Sequence, residues 1–184
     1  VRKALPGSFS WPVSMCQLKR CLLVERVPLE GTEQELVLVN LHLEAYDSDG
    51  GGKKAQTKVL YELLQREYEK GNYVIAGGDF NQTFDTVPED LYPLKFTDHF
   101  MPGRIDTSVL GEGWTFANDV SAPTSRLLNE PYDPDSENTQ YYMLDGFILS
   151  PNVTLTAVKT LDEGFAYTDH NPVRVDVVLD TQND

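Results

Sequence analysis

Basic residues are scarce in this chain: 15 lysines and arginines face 29 aspartates and glutamates, for a formal charge of −14, and the sequence pI is about 4.5. A field of that sign repels polyanions at long range, so tight nonspecific binding of nucleic acid through a basic surface is disfavoured. Cysteine is scarcer still. Cys16 and Cys21 are the only two, with no CxxC and no Cys/His cluster of zinc spacing, so a zinc module is excluded and two free thiols are favoured over a single bridge. No apolar run approaches the roughly 20 residues that a bilayer-spanning helix needs, and the first residues lack the pattern of a signal peptide. The chain does not begin with Met, and Val1-Arg-Lys-Ala-Leu-Pro-Gly7 reads as the interior of a longer protein.

What is present suffices for one substantial core: 184 residues, 40% of them hydrophobic, indicate a single domain or part of one spanning residues 1–184. Its organising stretch is Tyr73-Val-Ile-Ala-Gly-Gly-Asp-Phe-Asn-Gln82. A short apolar run stops at two glycines and then offers a carboxylate and a carboxamide two residues apart. Glycine permits a turn or a close backbone approach. Continued extended backbone would put Asp79 and Asn81 on one face, with Phe80 packing the other way.

Residues 1–18, with Pro6, Gly7, Pro12 and several serines, read as an irregular lead-in. Lys19 to Val27 and Glu35 to Leu43 are rich in β-formers and predict a hairpin, the second strand apolar enough to be buried on both faces. Ala45 to Gly52 reads as a loop. Lys53 to Lys70 has helical spacing, with Ala55, Val59, Leu60, Leu63, Leu64 and Tyr68 on one stripe and Gly71-Asn72 as the stop. The order strand, helix, strand brings His42 and Asp79 to corresponding strand ends if the two strands run parallel. The pattern weakens from Gln82 to Gln140, which predicts long loops. Three further strands follow: Tyr141 to Ser150 with Asp145 embedded in it, Val153 to Leu161, and a period-two strand from Val173 to Leu179.

Collected, the polar residues at the ends of apolar strands are Asn40, His42, Asp79, Asn81, Asp145, Asp169 and His170. Each alone has a structural explanation as a turn former, cap or hydrogen-bond partner; four segments ending this way together point to chemistry. Hydrolysis of a phosphoester needs such a set. Carboxylate and amide oxygens suit Mg²⁺, and a histidine paired with a carboxylate can act on water or on developing charge. Neighbours in an extended chain cannot pair with each other, so His170 needs a partner from elsewhere, and Asp145 is the candidate. Arg126 is a candidate contact for a substrate phosphate, weighed against a surface salt bridge.

The strings Asn40-Leu-His-Leu43, Gly78-Asp-Phe-Asn81, Leu144-Asp-Gly-Phe-Ile148 and Thr168-Asp-His-Asn-Pro-Val173 resemble, in order and spacing, the motifs of the endonuclease/exonuclease/phosphatase family, over about Lys19 to Leu179. The resemblance implies an α/β fold of the deoxyribonuclease I type, a four-layered sandwich on two packed, mostly antiparallel sheets. It implies a hydrolase that cleaves a phosphodiester or phosphomonoester with activated water and uses Mg²⁺ or Mn²⁺. His170 would be the catalytic histidine, oriented by Asp145. Asp79 would position or deprotonate the water, Asn81 would contact phosphate or metal, and Asn40 would stand by the substrate. Asp169 would be a metal ligand, joined by Asp79 and Asn81, and His42 would contact the phosphate or assist the leaving group.

Two departures qualify this. Family members carry an upstream half with an asparagine and a metal-binding glutamate that have no counterpart before His42, and residues 1–18 contain no Glu or Asp. The chain therefore resembles the carboxyl-terminal part of the family domain, with one sheet incomplete, and weak metal binding is expected of it alone. Many relatives also have an aromatic after the aspartate that is followed here by Gly146-Phe147. The acidic composition makes a lipid headgroup or small phosphoester at least as fitting a substrate as nucleic acid. The rival reading is a noncatalytic interaction module that keeps the fold without the metal glutamate, a role that has no need of the six polar site residues.

Overall fold

The computed structural model describes residues 1–7, 12, 15–16, 18–46 and 51–180. Its strands are β1 (Arg2–Ala4), β2 (Cys21–Pro28) and β3 (Glu35–His42), followed by the helix α1 (Gly51–Glu69) and then β4 (Tyr73–Asp79), β5 (Gln82–Phe84) and β6 (Gly103–Ile105). A short 3₁₀ turn at Thr107–Leu110 leads to β7 (Thr115–Ala117), β8 (Ser125–Arg126), β9 (Tyr141–Tyr142), β10 (Asp145–Leu149), β11 (Val153–Thr160) and β12 (Val173–Leu179). A six-stranded sheet in the order β1-β2-β3-β4-β10-β7 is the centre, and β11 and β12 form a separate two-stranded sheet. Except for β3 with β4, the pairs in both sheets are antiparallel. The mixed α and β class with mostly antiparallel sheets that the family resemblance implies is the class observed.

Each face of the central sheet has its own cover. Leu60, Leu63 and Leu64 of α1 pack on Leu22, Val24, Val37, Val39, Val74 and Ile148. On the other face Tyr73, Ile75 and Leu149 meet Leu155, Val175, Val177 and Leu179 of the β11–β12 hairpin. That hairpin reaches only part of the sheet. Leu23, Val27 and Leu38 stay 54%, 41% and 37% exposed, so β3 is buried on one face and open on the other rather than buried on both.

Other differences have local causes. Arg2–Ala4 is not irregular; it pairs with Leu23, Leu22 and Cys21, because β2 has a free edge that β1 satisfies. The helix begins two residues earlier than expected, and its buried face includes Lys53, Gln56, Tyr61 and Glu67 where Ala55 and Val59 are only half-buried. Buried polar side chains need partners, and these have them. Gln56 accepts from the Glu44 N–H and donates to the Pro6 carbonyl, both at 2.9 Å. Glu67 takes Arg26 of β2 at 2.8 Å and Lys70 at 3.0 Å. Burial alone would raise the Glu67 carboxyl, but these hydrogen bonds hold it at about 2. The expected single strand from Tyr141 to Ser150 is two strands, broken at Met143-Leu144, so that β9 pairs with β8 while β10 joins the central sheet. Part of the loop expected at Ala45 to Gly52, residues 47–50, lies outside the described residues.

The pairings of β4 with β3 and with β10 require glycine where the sequence has it. A Cβ on Gly78, whose φ is +142°, would stand 2.1 Å from the Leu41 carbonyl oxygen, and one on Gly77 would meet the Phe147 ring at 2.4 Å. Gly78→Ala combines a backbone clash with a conformation that L-residues avoid, and is expected to destabilise the fold by roughly 2 to 4 kcal/mol in urea unfolding. A loss below about 0.5 kcal/mol, the range of an ordinary surface change, would mean the two strands separate easily at this point.

Candidate active site

The register of the central sheet brings four chain segments to one edge. His42 lies opposite Asp79 across β3 and β4, and Asp79 lies opposite Asp145 across β4 and β10. The antiparallel pairing of β2 with β3 ends at Leu23 opposite Asn40, which leaves the start of β2 on the same edge. His170 is added by a bridge between Ser125 and His170, with the Arg126 N–H donating to the Asp169 carbonyl at 3.0 Å.

The side chains converge as the backbone does. His170 Nδ1 is 2.8 Å from Asp145 Oδ2, so the pairing expected from the sequence is formed. His170 Nε2 stands 3.9 Å from Asp79 Oδ2 and 3.2 Å from Ser125 Oγ. His42 Nε2 is 3.2 Å from the same Asp79 oxygen. Asn81 does not continue the strand. At φ +50° its N–H folds back onto Asp79 Oδ1 at 2.7 Å, and its amide nitrogen donates to Asp79 Oδ2 at 3.2 Å and to the Leu43 carbonyl at 2.9 Å. Asn81 therefore braces Asp79, while Phe80 is fully buried in the helix-side core.

Burial and charge set the protonation states. Burial, and then the negative charge of Asp145, raises the Asp79 carboxyl to about 6 against the lowering effects of the Asn81 N–H, His170 and Arg20. Burial would lower His170, but its hydrogen bond to Asp145 and the charges of Asp145, Asp79 and Asp169 raise it. His42 is lowered by burial and by the charges of Arg20 and His170. With His42 lowered and Asp79 raised, their 3.2 Å approach is a close contact rather than a strong ion pair.

Three residues of the edge escaped the sequence reading. Thr124, fully buried, accepts the N–H groups of Leu144 and Asp145 on its Oγ at 2.9 and 3.1 Å, and so fixes where β10 begins. Ser125 touches the catalytic candidate His170. Arg20 influences both His42 and Asp79. The only sequence signal for the first two was their position just before Arg126. Arg126 itself neither forms a salt bridge among the described residues nor points free; its guanidinium sits 4.7 Å over the Tyr132 ring and donates to the Leu127 carbonyl at 3.3 Å. Asn40 lies opposite Gly77 and lines a groove of about 560 Å³ shared with Asp145, Phe147 and His170.

Among the described residues no three His, Cys, Asp or Glu side chains are gathered to hold a metal ion. Asp79 and Asn81 are bonded to each other, and Asp169 is engaged by Thr168 Oγ at 3.4 Å. Mg²⁺ wants an octahedral set of oxygens, and these residues do not supply a closed one.

No family model and no curated protein sequence matches the chain. Solved structures do. An endonuclease/exonuclease/phosphatase from Beutenbergia cavernae is similar with a TM-score of 0.61 at 18% identity, over 97% of this chain and 44% of that one. The human Nocturnin catalytic domain with bound sulfate anion gives 0.58 at 14%, over 97% and 58%. D. rerio TDP2 complexed with single-strand DNA product gives 0.57 at 19%, over 96% and 68%. The chain thus spans less than half the length of the first of these.

Asp79 provides a test of the electrostatics. Its folded pKa of about 6 exceeds the ordinary aspartate value, so between about pH 4 and 6 the folded state keeps a proton that the unfolded chain has lost, and stability falls as pH rises through that window. Asp79→Asn is therefore expected to stabilise the protein by about 1 to 3 kcal/mol at pH 7.5 and by little at pH 4, read from urea unfolding at both pH values. Equal effects at the two pH values would show that the carboxyl is not held in this way. At these identities the likeness establishes the fold, and the chain has the fold of the endonuclease/exonuclease/phosphatase proteins.

Proposed function

We propose that this chain carries the hydrolytic edge of a phosphoesterase. One observation supports the reading above the others: His42, Asp79, Asp145 and His170, from four separate segments, form one continuous line of contacts of 3.2, 3.9 and 2.8 Å. A noncatalytic module with this fold has no use for a carboxylate raised to about 6 between two histidines, because burying like charges costs stability.

In the proposed reaction a water oxygen attacks phosphorus as the bond to the leaving oxygen breaks. Asp79, ionised above about pH 6, accepts the water's proton. His170, whose raised pKa favours the imidazolium, faces the phosphoryl oxygens and gives its Nε2 proton to the leaving oxygen, while Asp145 keeps the ring in one orientation. Asn81 holds the Asp79 carboxylate in place. A divalent ion, Mg²⁺ or Mn²⁺, would offset charge on the phosphoryl oxygens; Asp79, Asp169 and the Asn81 carboxamide oxygen are the oxygens this chain would bring, and the set fits only as part of a site.

The Ser125, His170, Asp145 sequence of contacts also has the form of an acyl-transfer triad. Ser125 is 2% exposed, however, too deep for a carbonyl carbon to reach its Oγ, so its hydroxyl serves as a hydrogen-bond partner for His170.

The net charge of −14 favours a small phosphoester or a lipid headgroup over tight nonspecific DNA binding. Hydrolysis of an aryl phosphodiester, followed with added Mg²⁺ and with EDTA, tests the reading. His170→Ala is expected to lower kcat by about 10² to 10⁴, the usual contribution of a proton-transferring group, and an unchanged rate in that variant overturns the assignment.

A further inference from the structure

We propose that Arg20 is a ligand for the phosphoryl group of the substrate, an inference that rests on the phosphoesterase reading but can fail or survive separately from it. Arg20 precedes β2 directly, and its carbonyl is pinned by the Leu5 N–H at 3.1 Å. Carrying the β2–β3 register two residues beyond Leu23 opposite Asn40 places Cys21 against His42 and Arg20 at the rim of the catalytic edge.

Its Nε is buried and has no hydrogen-bond partner. A buried guanidinium N–H left unmet is costly, and in a chain with 29 acidic residues a partner would be easy to supply. Three other arginines, half-buried or exposed, have partners for at least part of the guanidinium. Arg26 binds Glu35 and Glu67, Arg104 donates to the Val87 carbonyl at 2.8 Å, and Arg126, whose Nε is also unmet, lies on Tyr132. Arg20 alone combines an unmet donor with a place one residue beyond the position opposite His42, and the influence of its charge on His42 and Asp79 agrees with that place. A planar guanidinium matches two phosphoryl oxygens at once. It would also supply positive charge at an edge where Asp79, Asp145 and Asp169 otherwise repel an incoming phosphate.

The test is binding of inorganic phosphate to the full chain by calorimetry, with thermal unfolding as the control for folding. Arg20→Ala is expected to weaken phosphate binding by about 10- to 100-fold, and Arg20→Lys by less, because lysine keeps the charge but loses the two-pronged geometry. Arg2→Ala, on the exposed side of β1, is expected to bind as the unaltered chain does. Should Arg20→Ala not fold, Arg20→Gln carries the same expectation. No phosphate binding by the unaltered chain, or equal binding by Arg20→Ala or Arg20→Gln, overturns the proposal. If phosphate binds through Arg20 while no phosphoester is cleaved, the catalytic reading fails and this one stands. If cleavage occurs with an unchanged KM in Arg20→Ala, this one fails alone.

Discussion

The parallel pairing of β3 with β4 is the constraint on which the remaining structure depends. It fixes His42 opposite Asp79, and because β10 pairs with the far side of β4, it fixes Asp145 on the same edge. Parallel strands need a crossover between them, which α1 provides while covering the helix-side face. The pairing is close enough to exclude a side chain at Gly78. A slip of one residue would send Asp79 to the opposite face and disassemble every contact described for the edge.

Electrostatically the edge is a balance between acids that resist being placed together and the cations set among them. Asp79 and Asp145 face each other directly, an arrangement that costs stability in a sheet. His170 between them, with Arg20 alongside, makes it tolerable, and burial together with the residual repulsion from Asp145 appears as the raised proton affinity of Asp79. Stability given up at such a site is a common accompaniment of reactivity.

Much of this was legible in the sequence. The strand end marked by Asp79 was readable because apolar runs that stop at a polar residue have few alternatives, and the impossibility of pairing neighbours in an extended chain sent the search for the partner of His170 to another segment, with Asp145 as the candidate. The misreadings share one physical origin, that partners distant in sequence override local pattern. Gln56 and Glu67 sit in the buried helix face because Pro6, Glu44 and Arg26 satisfy them. The strand at Tyr141 to Ser150 breaks because β8 and Thr124 claim its first half and its restart. Asn81 leaves the extended path because its side chain and N–H are drawn to Asp79 and Leu43. Arg20 had only the weak signal of its basic neighbour Lys19, since the property that marks it is a missing partner.

The two glycines and the aspartate that follows them are held in place by different pressures. Gly77 and Gly78 are fixed by collision with Phe147 and Leu41, a requirement of folding, whereas the Asp79 carboxyl is a burden on folding. Under random change without selection for catalysis, descendants of such a chain should shed the acid and keep the glycines. Among proteins of this fold, a strand that ends in two glycines with no carboxylate after them would then be the mark of a lineage that has abandoned its chemistry while retaining its architecture.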